Sequence, residues 1–176
     1  MAGFINICFD EDETDRIAAL QRRLAERGIS DYAAWLAYPP HLTLARVDDA
    51  DPKSLISAAG HLLRQLTRTK IGLGGLSMFG GNEPVVWLAP VPSPTLLDAH
   101  RQLCAGLEPL YVHEHYRPAN WMPHVTLAAG LDRHKAAAAI AALLPEFRPM
   151  AVTLSRVEVV SFPPAQVLWS GTATSK

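Results

Sequence analysis

The chain has 176 residues, 49% of them hydrophobic, and a formal net charge of −1. This length and composition allow one buried core and predict a single domain over residues 1–176. The near-zero net charge excludes the broad basic surface that binding of long duplex nucleic acid requires.

The cysteine content and the distribution of apolar residues indicate the cellular compartment in which the protein is expected. Cys8 and Cys104 are the only cysteines, both lie in apolar surroundings, and the sequence has no C-x-x-C motif. This pattern predicts buried thiols in a reducing compartment. Acidic residues at 10–13 interrupt the one apolar N-terminal stretch, so we expect neither a signal peptide nor a membrane span. We therefore expect a cytoplasmic monomer without a membrane partner.

Strand and helix patterns alternate along the chain. Short apolar runs rich in β-formers predict strands, whereas apolar residues at three- and four-residue spacing predict helices. Asp51-Pro52 and Ser93-Pro94 each combine a capping residue with a proline, which marks two helix starts. The predicted order is a strand at 4–9, a helix at 12–28, a loop at 29–40, a strand at 41–47, a helix from 52, strands at 70–79 and 85–91, a helix from 94, a loop at 111–123, a strand from 124, a helix at 132–145 and a hairpin at 152–169.

One short segment occurs twice. Residues 40–45 read PHLTLA and residues 123–128 read PHVTLA, and an aromatic residue, Tyr38 or Trp121, stands three positions before each histidine. With a strand's period of two, the histidine and the threonine point to one face and the leucines to the other. Each strand is therefore predicted to present an imidazole beside a hydroxyl, anchored by leucine.

The two halves of the sequence repeat at a nearly constant offset. His41 and His124 are 83 residues apart, as are Phe79 and Phe162, and Trp87 and Trp169 are 82 apart. An offset held this closely predicts an internal duplication. We expect an α+β fold of two pseudo-symmetric lobes, each an antiparallel sheet with helices on its outer face, with a cleft between the lobes.

Two H-x-T-L segments, at 41–44 and 124–127, resemble the two-histidine phosphoesterase superfamily, and the second resembles its 2′-5′ RNA ligase branch. The resemblance implies a bilobal phosphodiesterase that opens a 2′,3′-cyclic phosphate to a 2′-phosphomonoester, with ligation of RNA as the reverse reaction. It also implies that His124 activates water and that His41 protonates the leaving oxygen. Pseudo-symmetry leaves these two roles interchangeable in the sequence.

The four motif residues suit this reaction without a metal or a cofactor. Hydrolysis of a cyclic phosphodiester needs a base on one side of phosphorus and an acid on the other, and two histidines near neutral pKa can supply both. Thr43 and Thr126 would donate hydrogen bonds to the non-bridging oxygens as negative charge builds on them. The predicted catalytic residues are therefore His41, Thr43, His124 and Thr126.

Five further residues are candidates for substrate binding. Phe79 and Phe162 end equivalent strands, where a base could stack on them or where they could simply pack. Tyr38 and Trp121 are candidates for the cleft wall or for packing between lobes, and Arg117 in the long loop is a candidate anion contact.

A secondary phosphate candidate, Arg46, lies by parity on the leucine face of its strand. The expected partner is a nucleotide or an RNA terminus with a cyclic phosphate, and the near-neutral charge favours a short one.

Other functions fit the same residues. The protein could bind phosphorylated RNA ends without turnover, or it could act on another small cyclic phosphate such as that of ADP-ribose. A metal site built on His41 and His124 with help from His113 or His115 is a third alternative, although these histidines lack the spacing of a ligand set.

Overall fold

The structure, a computed structural model, describes residues 2–49, 51–66, 68–108 and 110–173. Within these ranges, a short 3₁₀ helix at Glu114–Tyr116 accompanies the longer elements. The helices are α1 (Glu11–Glu26), α2 (Tyr32–Leu36), α3 (Pro52–Gln65), α4 (Pro94–Gly106) and α5 (Arg133–Leu143), and the strands are β1 (Ala2–Phe9), β2 (His41–Asp48), β3 (Thr69–Phe79), β4 (Val85–Pro90), β5 (Val125–Ala128), β6 (Met150–Phe162) and β7 (Gln166–Thr172).

The strands form one antiparallel sheet in the order β2-β1-β6-β3-β4-β5, with β7 also paired to β6. Strand β6 joins two parts of the sheet, because its first residues pair with β3 and its later residues pair with β1 and β7. Helix α3 packs on β6, and helix α1 packs on β5. The predicted α+β class is confirmed, and the two predicted sheets are joined into one through β6.

The pairing of β3 with β6 lies where the two halves of the chain cross. Thr69 faces Leu154, and Ile71 faces Val152. Adding 83 to the residue number takes Thr69 to Val152 and Ile71 to Leu154. The repeat therefore relates the Thr69–Leu154 pair to the Ile71–Val152 pair. The internal duplication itself remains a prediction, and this register is compatible with it.

Most predicted elements are present, with local differences. Ser93 caps α4 by accepting a hydrogen bond from the backbone N–H of Leu96. Asp132 does the same for α5 through the N–H of Lys135. The stretch at 29–40 was predicted as a loop, but it contains the short helix α2. No helix among the described residues has the length and apolar content to cross a membrane.

Both motif strands carry a β-bulge at the same position. In the β1–β2 pair, Ile5 faces Ala45 while Asn6 faces Thr43, so Leu44 has no cross-strand partner. In the β4–β5 pair, Val86 faces Ala128 while Trp87 faces Thr126, so Leu127 has none. A bulge adds one residue to one strand, bends it and redirects the neighbouring side chains. The leucine of each H-x-T-L segment is therefore the bulged residue.

The first bulge reverses the expected direction of Arg46. Arg46 faces Phe4 across the strand pair, and Phe4 shares its face of β1 with Asn6. The parity prediction was wrong because it assumed a regular strand, whereas the extra residue shifts every later side chain to the opposite face. The guanidinium carbon of Arg46 lies 5.9 Å from the centroid of the Phe4 ring, and its Nη2 lies 3.1 Å from Asp48 Oδ1.

Leu44→Ala should lower the free energy of unfolding by about 2–5 kcal/mol, because the leucine side chain is completely buried and its removal leaves a cavity. Urea unfolding followed by circular dichroism measures this loss. Leu144→Ala is the matched control, since Leu144 is exposed and its truncation should change stability by less than about 0.5 kcal/mol. Equal losses in both variants would contradict the role of the bulged leucine as a core anchor.

Candidate active site

The two motifs meet at one cavity. Strands β2 and β5 lie at opposite ends of the strand order, yet they contact each other because the sheet curls. A cavity of about 190 Å³ between them is lined by His41, Thr43, His124 and Thr126. The sheet thus brings together the four residues predicted as catalytic.

A second, larger cavity adjoins the first on the side of the second motif. It measures about 490 Å³ and shares Tyr32, Tyr116, His124 and Thr126 with the smaller cavity. Phe79 also lines it. The cleft therefore extends beyond His124.

The two histidines are held in the same way. Nδ1 of His41 lies 2.8 Å from the carbonyl oxygen of Pro39, and Nδ1 of His124 lies 2.8 Å from that of Met122. A carbonyl can only accept, so each Nδ1 must carry the proton. This fixes one tautomer for both neutral rings and leaves Nε2 as the atom free to exchange a proton.

Burial keeps both imidazoles neutral. The pKa of His41 is lowered to about 4, mainly by burial and to a smaller extent by the nearby His124, against the opposing effects of the Pro39 carbonyl and Glu158. Burial also lowers the pKa of His124, partly offset by its hydrogen bond to Met122. Both rings are bases at neutral pH, and an anion between them would favour the protonated form.

The backbone carbonyl of each motif threonine accepts a hydrogen bond from a distant side chain. Nε1 of Trp121 donates to the carbonyl oxygen of Thr43 at 3.1 Å. Nε2 of Gln21, in α1, donates to that of Thr126 at 3.0 Å. Both donors are buried, so these bonds fix the bulged strands from two sides.

The two threonine hydroxyls have different neighbours. Thr43 Oγ1 donates to Asn6 Oδ1 at 2.9 Å, and Asn6 is only 3% exposed. Burial raises the pKa of Tyr32 to about 12. The Tyr32 hydroxyl also interacts with the side chain of Thr126, and this interaction limits the rise. Sequence inspection missed Asn6 because a single asparagine in an apolar strand carries no motif.

Tyr38 lines the cleft beside the first histidine, and its hydroxyl is already engaged. Its ring meets the His41 ring edge to face at a centroid distance of 4.9 Å. Its hydroxyl donates to Glu158 Oε2 at 2.6 Å. Glu158 is 5% exposed and also accepts from Arg156 and Ser170. The hydrogen bond from Tyr38, together with those from Arg156 and Ser170, holds the pKa of Glu158 below its usual range against the effect of burial.

The two predicted phenylalanines both border the cleft. Phe79 meets His124 edge to face at 5.0 Å and stacks on Trp87 at 4.7 Å. Phe162 lines the smaller cavity and lies 5.3 Å from the ring of Trp35. Trp35 is 64% exposed at this edge of the cleft. It was not among the predicted site residues, and its position in an aromatic-rich segment is the one sequence signal that could have indicated it.

Two predicted substrate contacts lie elsewhere. Trp121 is buried in the core, where it stacks on His100 with ring centroids 3.8 Å apart, so its position before the histidine serves packing. Arg117 lines a separate cavity, its Nε donates to the carbonyl of Val112, and its guanidinium lies over the ring of Tyr111. For Trp121 the structure therefore agrees with the packing alternative, and for Arg117 the spacing could not indicate the path of the loop.

Charged ligands for an anion or a metal are few around the cleft. Neither cavity is lined by a lysine or an arginine of the described chain. His115 borders the larger cavity, and its ring lies 4.9 Å from that of His113. Among the described residues, no group of three or more His, Cys, Asp or Glu is arranged to hold a metal ion.

Comparisons with known proteins concern nearly the whole chain. A family model described as the 2′-5′ RNA ligase superfamily matches residues 9–163. A search of curated proteins found no match.

Several solved structures share the fold at low identity. The TT0787 structure from Thermus thermophilus is 19% identical, with a TM-score of 0.64 and 100% coverage of both chains. Escherichia coli LigT complexed with 3′-AMP is 16% identical, with a TM-score of 0.59 and 98% coverage of each. The MHV ns2 PDE domain is 19% identical, with a TM-score of 0.52, and the match covers 74% of this chain and 84% of that domain. At these identities the likeness shows the fold alone.

The imidazole of His41 should stay neutral in the free protein until the pH falls to about 4, because burial disfavours its charged form. Added inorganic phosphate should raise this midpoint, since a bound anion stabilises the imidazolium. Histidine NMR titration measures both midpoints, and His41→Gln assigns the resonance. A midpoint near 6.5 in the free protein, the value of an unperturbed histidine, would contradict the buried site.

Proposed function

Because the chain belongs to the 2′-5′ RNA ligase superfamily, we propose that it is a metal-independent phosphodiesterase that hydrolyses a 2′,3′-cyclic phosphate to a 2′-phosphomonoester. The substrate is an RNA terminus or a small nucleotide. The same site would run the reverse reaction, joining RNA ends through a 2′-5′ bond, by microscopic reversibility.

One observation carries this proposal. His41 and His124 line the same small cavity, and each donates its Nδ1 proton to a carbonyl two residues earlier in the chain. Both rings therefore present an unprotonated Nε2 with a fixed orientation. A pair of matched imidazoles on two facing strands supports acid–base chemistry on a group that lies between them.

The proposed step needs only these two groups and water. The water oxygen attacks phosphorus while one Nε2 accepts its proton, and the bond from phosphorus to the ribose 3′ oxygen breaks. The other imidazole, protonated after the anionic substrate has bound, gives its proton to that leaving oxygen. The products are a 2′-phosphomonoester and a 3′-hydroxyl, and the two histidines have exchanged protonation states.

The composition of the cleft favours a short substrate. Its described lining contains aromatic rings and hydroxyls but no lysine or arginine, and backbone phosphates of a long RNA would need such cations. Phe79, Trp35 and Phe162 offer faces on which one or two bases could stack. LigT, which shares the fold, has been crystallised with 3′-AMP, and this supports a nucleotide as the ligand.

Two alternatives share these observations. A module that binds phosphorylated RNA ends without turnover would use the same threonines and aromatic faces. A phosphodiesterase for a different small cyclic phosphate, such as that of ADP-ribose, would use the same histidines. The larger cavity of about 490 Å³ has room for either nucleoside portion.

His41→Ala and His124→Ala should each lower kcat for a 2′,3′-cyclic mononucleotide by about 100- to 10,000-fold, because each removes one proton-transfer group. Turnover is followed by chromatography of the 2′- and 3′-phosphomonoester products in the presence of a chelator. A cyclic-phosphate-ended oligonucleotide and ADP-ribose cyclic phosphate are measured in parallel.

His61→Ala is the control, since His61 lies in α3 and lines a cavity remote from both motifs. Chelator-sensitive turnover would instead favour the metal site on His41 and His124. Binding of the three ligands without turnover of any would favour the end-recognition module.

A further inference from the structure

A row of directly opposed residues crosses the sheet behind the first motif. It starts at Thr43 on β2 and continues through Asn6 on β1, Glu158 on β6 and Ser170 on β7. Directly opposed side chains share one face of a sheet. Because neighbouring strands are spaced by about 5 Å, Glu158 stands on the face of Thr43, two strands and about 10 Å away.

The second half of the sheet holds no carboxylate at the equivalent place. Its row runs from Thr126 on β5 to Trp87 on β4 and Ser77 on β3. Ser77 is therefore two strands from its motif threonine, and it is uncharged. A charged side chain at this place in the row is found behind the first motif and not behind the second.

Tyr38 connects the carboxylate of Glu158 to the first histidine. Its hydroxyl donates to Glu158 Oε2 at 2.6 Å, and its ring meets that of His41 edge to face, with centroids 4.9 Å apart. The corresponding residue before the second motif, Trp121, stacks on His100 in the core instead. A phenol that donates its proton to a carboxylate becomes richer in negative charge, so its ring favours a cation beside it.

The other contacts of Glu158 hold its carboxylate ionised and oriented. Oε1 accepts from Arg156 Nε at 2.6 Å and from Ser170 Oγ at 3.2 Å, which leaves Oε2 for Tyr38. The side chain of Arg156 is 37% exposed, whereas that of Glu158 is 7% exposed. Water therefore screens the guanidinium more strongly than the carboxylate, and the ion pair keeps a negative effect toward the interior.

The ionisable groups around His41 come from several elements. Cys8 stands opposite His41 on β1, and burial raises the pKa of its thiol to about 11, so it is neutral. Burial lowers the pKa of His41, His124 on β5 lowers it further to a smaller extent, and Glu158 opposes this lowering. The tyrosines that line the same cavity are neutral because burial raises the pKa of each: Tyr32, Tyr38 and Tyr116. Glu158 is therefore the negative charge that acts on this imidazole in the described part of the chain.

We propose that Glu158 is a positioning residue for His41, because through Tyr38 it holds the imidazole and stabilises its protonated form when an anion occupies the cleft. The inference rests on the proposed phosphodiesterase function and deepens it. In that reaction His41 carries a second proton at one stage, before the step if it is the acid and after the step if it is the base. Burial disfavours this charged form, and the carboxylate of Glu158 offsets the effect.

A purely structural role of Glu158 has a different outcome. Its hydrogen bonds to Tyr38 and Ser170 also join β6 to the segment before β2 and to β7. If Glu158 did no more than this, its substitution would lower stability or kcat without moving the pH at which His41 titrates. The titration of His41 therefore separates the two roles.

The experiment compares Glu158→Gln, which removes the charge and keeps the size, with Glu158→Asp, which keeps the charge. The midpoints of His41 and His124 are measured by NMR titration in saturating inorganic phosphate. The pH dependence of kcat is measured with a 2′,3′-cyclic mononucleotide. Glu13→Gln is the matched control, because the Glu13 carboxylate also accepts hydrogen bonds from a buried residue, Thr153, outside the cleft.

Glu158→Gln should lower the phosphate-bound midpoint of His41 by about half a pH unit to one unit, the effect of one charge at about 10 Å in a partly buried setting. The midpoint of His124 should move less. One limb of the kcat profile should move to lower pH with His41, the alkaline limb if His41 is the acid and the acidic limb if it is the base. Glu158→Asp and Glu13→Gln should leave both limbs in place.

Tyr38→Phe tests whether the effect passes through the phenol. In the Glu158→Gln background it should not lower the His41 midpoint further, because the hydroxyl then meets no charge. A further fall in that background overturns the inference. So do an unchanged His41 midpoint in Glu158→Gln, equal shifts at both histidines, or a lower kcat with both limbs unchanged.

A variant that does not fold has a substitute. If Glu158→Gln fails to fold, Glu158→Gln/Arg156→Met replaces it, because it removes both members of the ion pair and leaves no unpaired charge. The same criteria apply to it. A parent protein that turns over no cyclic phosphate overturns the proposed function, whereas the titration of phosphate-bound His41 needs no turnover and decides the role of Glu158 separately.

Discussion

The structure depends on how two bulged edge strands satisfy the backbone carbonyls of their threonines. Trp121 donates to Thr43 and Gln21 donates to Thr126. Trp121 lies in the segment that leads into the second motif, whereas Gln21 lies in the helix that follows β1. Each motif is thus fixed by the half of the chain that carries the other. A buried carbonyl left unpaired costs about 1–3 kcal/mol, so the cleft and the core are stabilised by the same bonds.

The sequence predicted what depends on residue period and failed where one backbone irregularity intervenes. A period of two identified both motif strands, and a polar residue followed by proline identified the starts of α3 and α4. A bulge leaves no mark in a single sequence, so the direction of Arg46 came out reversed. The choice between cleft and packing for Trp121, and the position of Arg117, could not be predicted because the path of the loop before β5 is set by tertiary packing. Asn6 became recognisable only through its contact with Thr43.

The electrostatics of the cleft make its chemistry conditional on the substrate. Burial lowers the pKa of both histidines, and no cation of the described chain lines either cavity. Both imidazoles are therefore bases at neutral pH when no anion lies beside them. In the proposed reaction, the negative charge of a phosphate would stabilise one imidazolium, so the acid would form only with the anion bound. Such a site would discriminate against neutral ligands of the same shape, because they leave both rings unprotonated.

A symmetric pair of motifs cannot by itself run an asymmetric reaction, since attack and departure at phosphorus require opposite proton transfers. The motif residues are alike in the two halves, down to the carbonyl that each Nδ1 contacts. The difference must therefore come from neighbours. Beside the first motif lie polar groups, Asn6 on Thr43 and Glu158 acting on His41 through space. Beside the second lie the rings of Phe79 and Trp87 and the Tyr32 hydroxyl, which interacts with Thr126. In the proposed reaction, these unlike neighbours would have to distinguish the histidine that accepts a proton from the one that donates it.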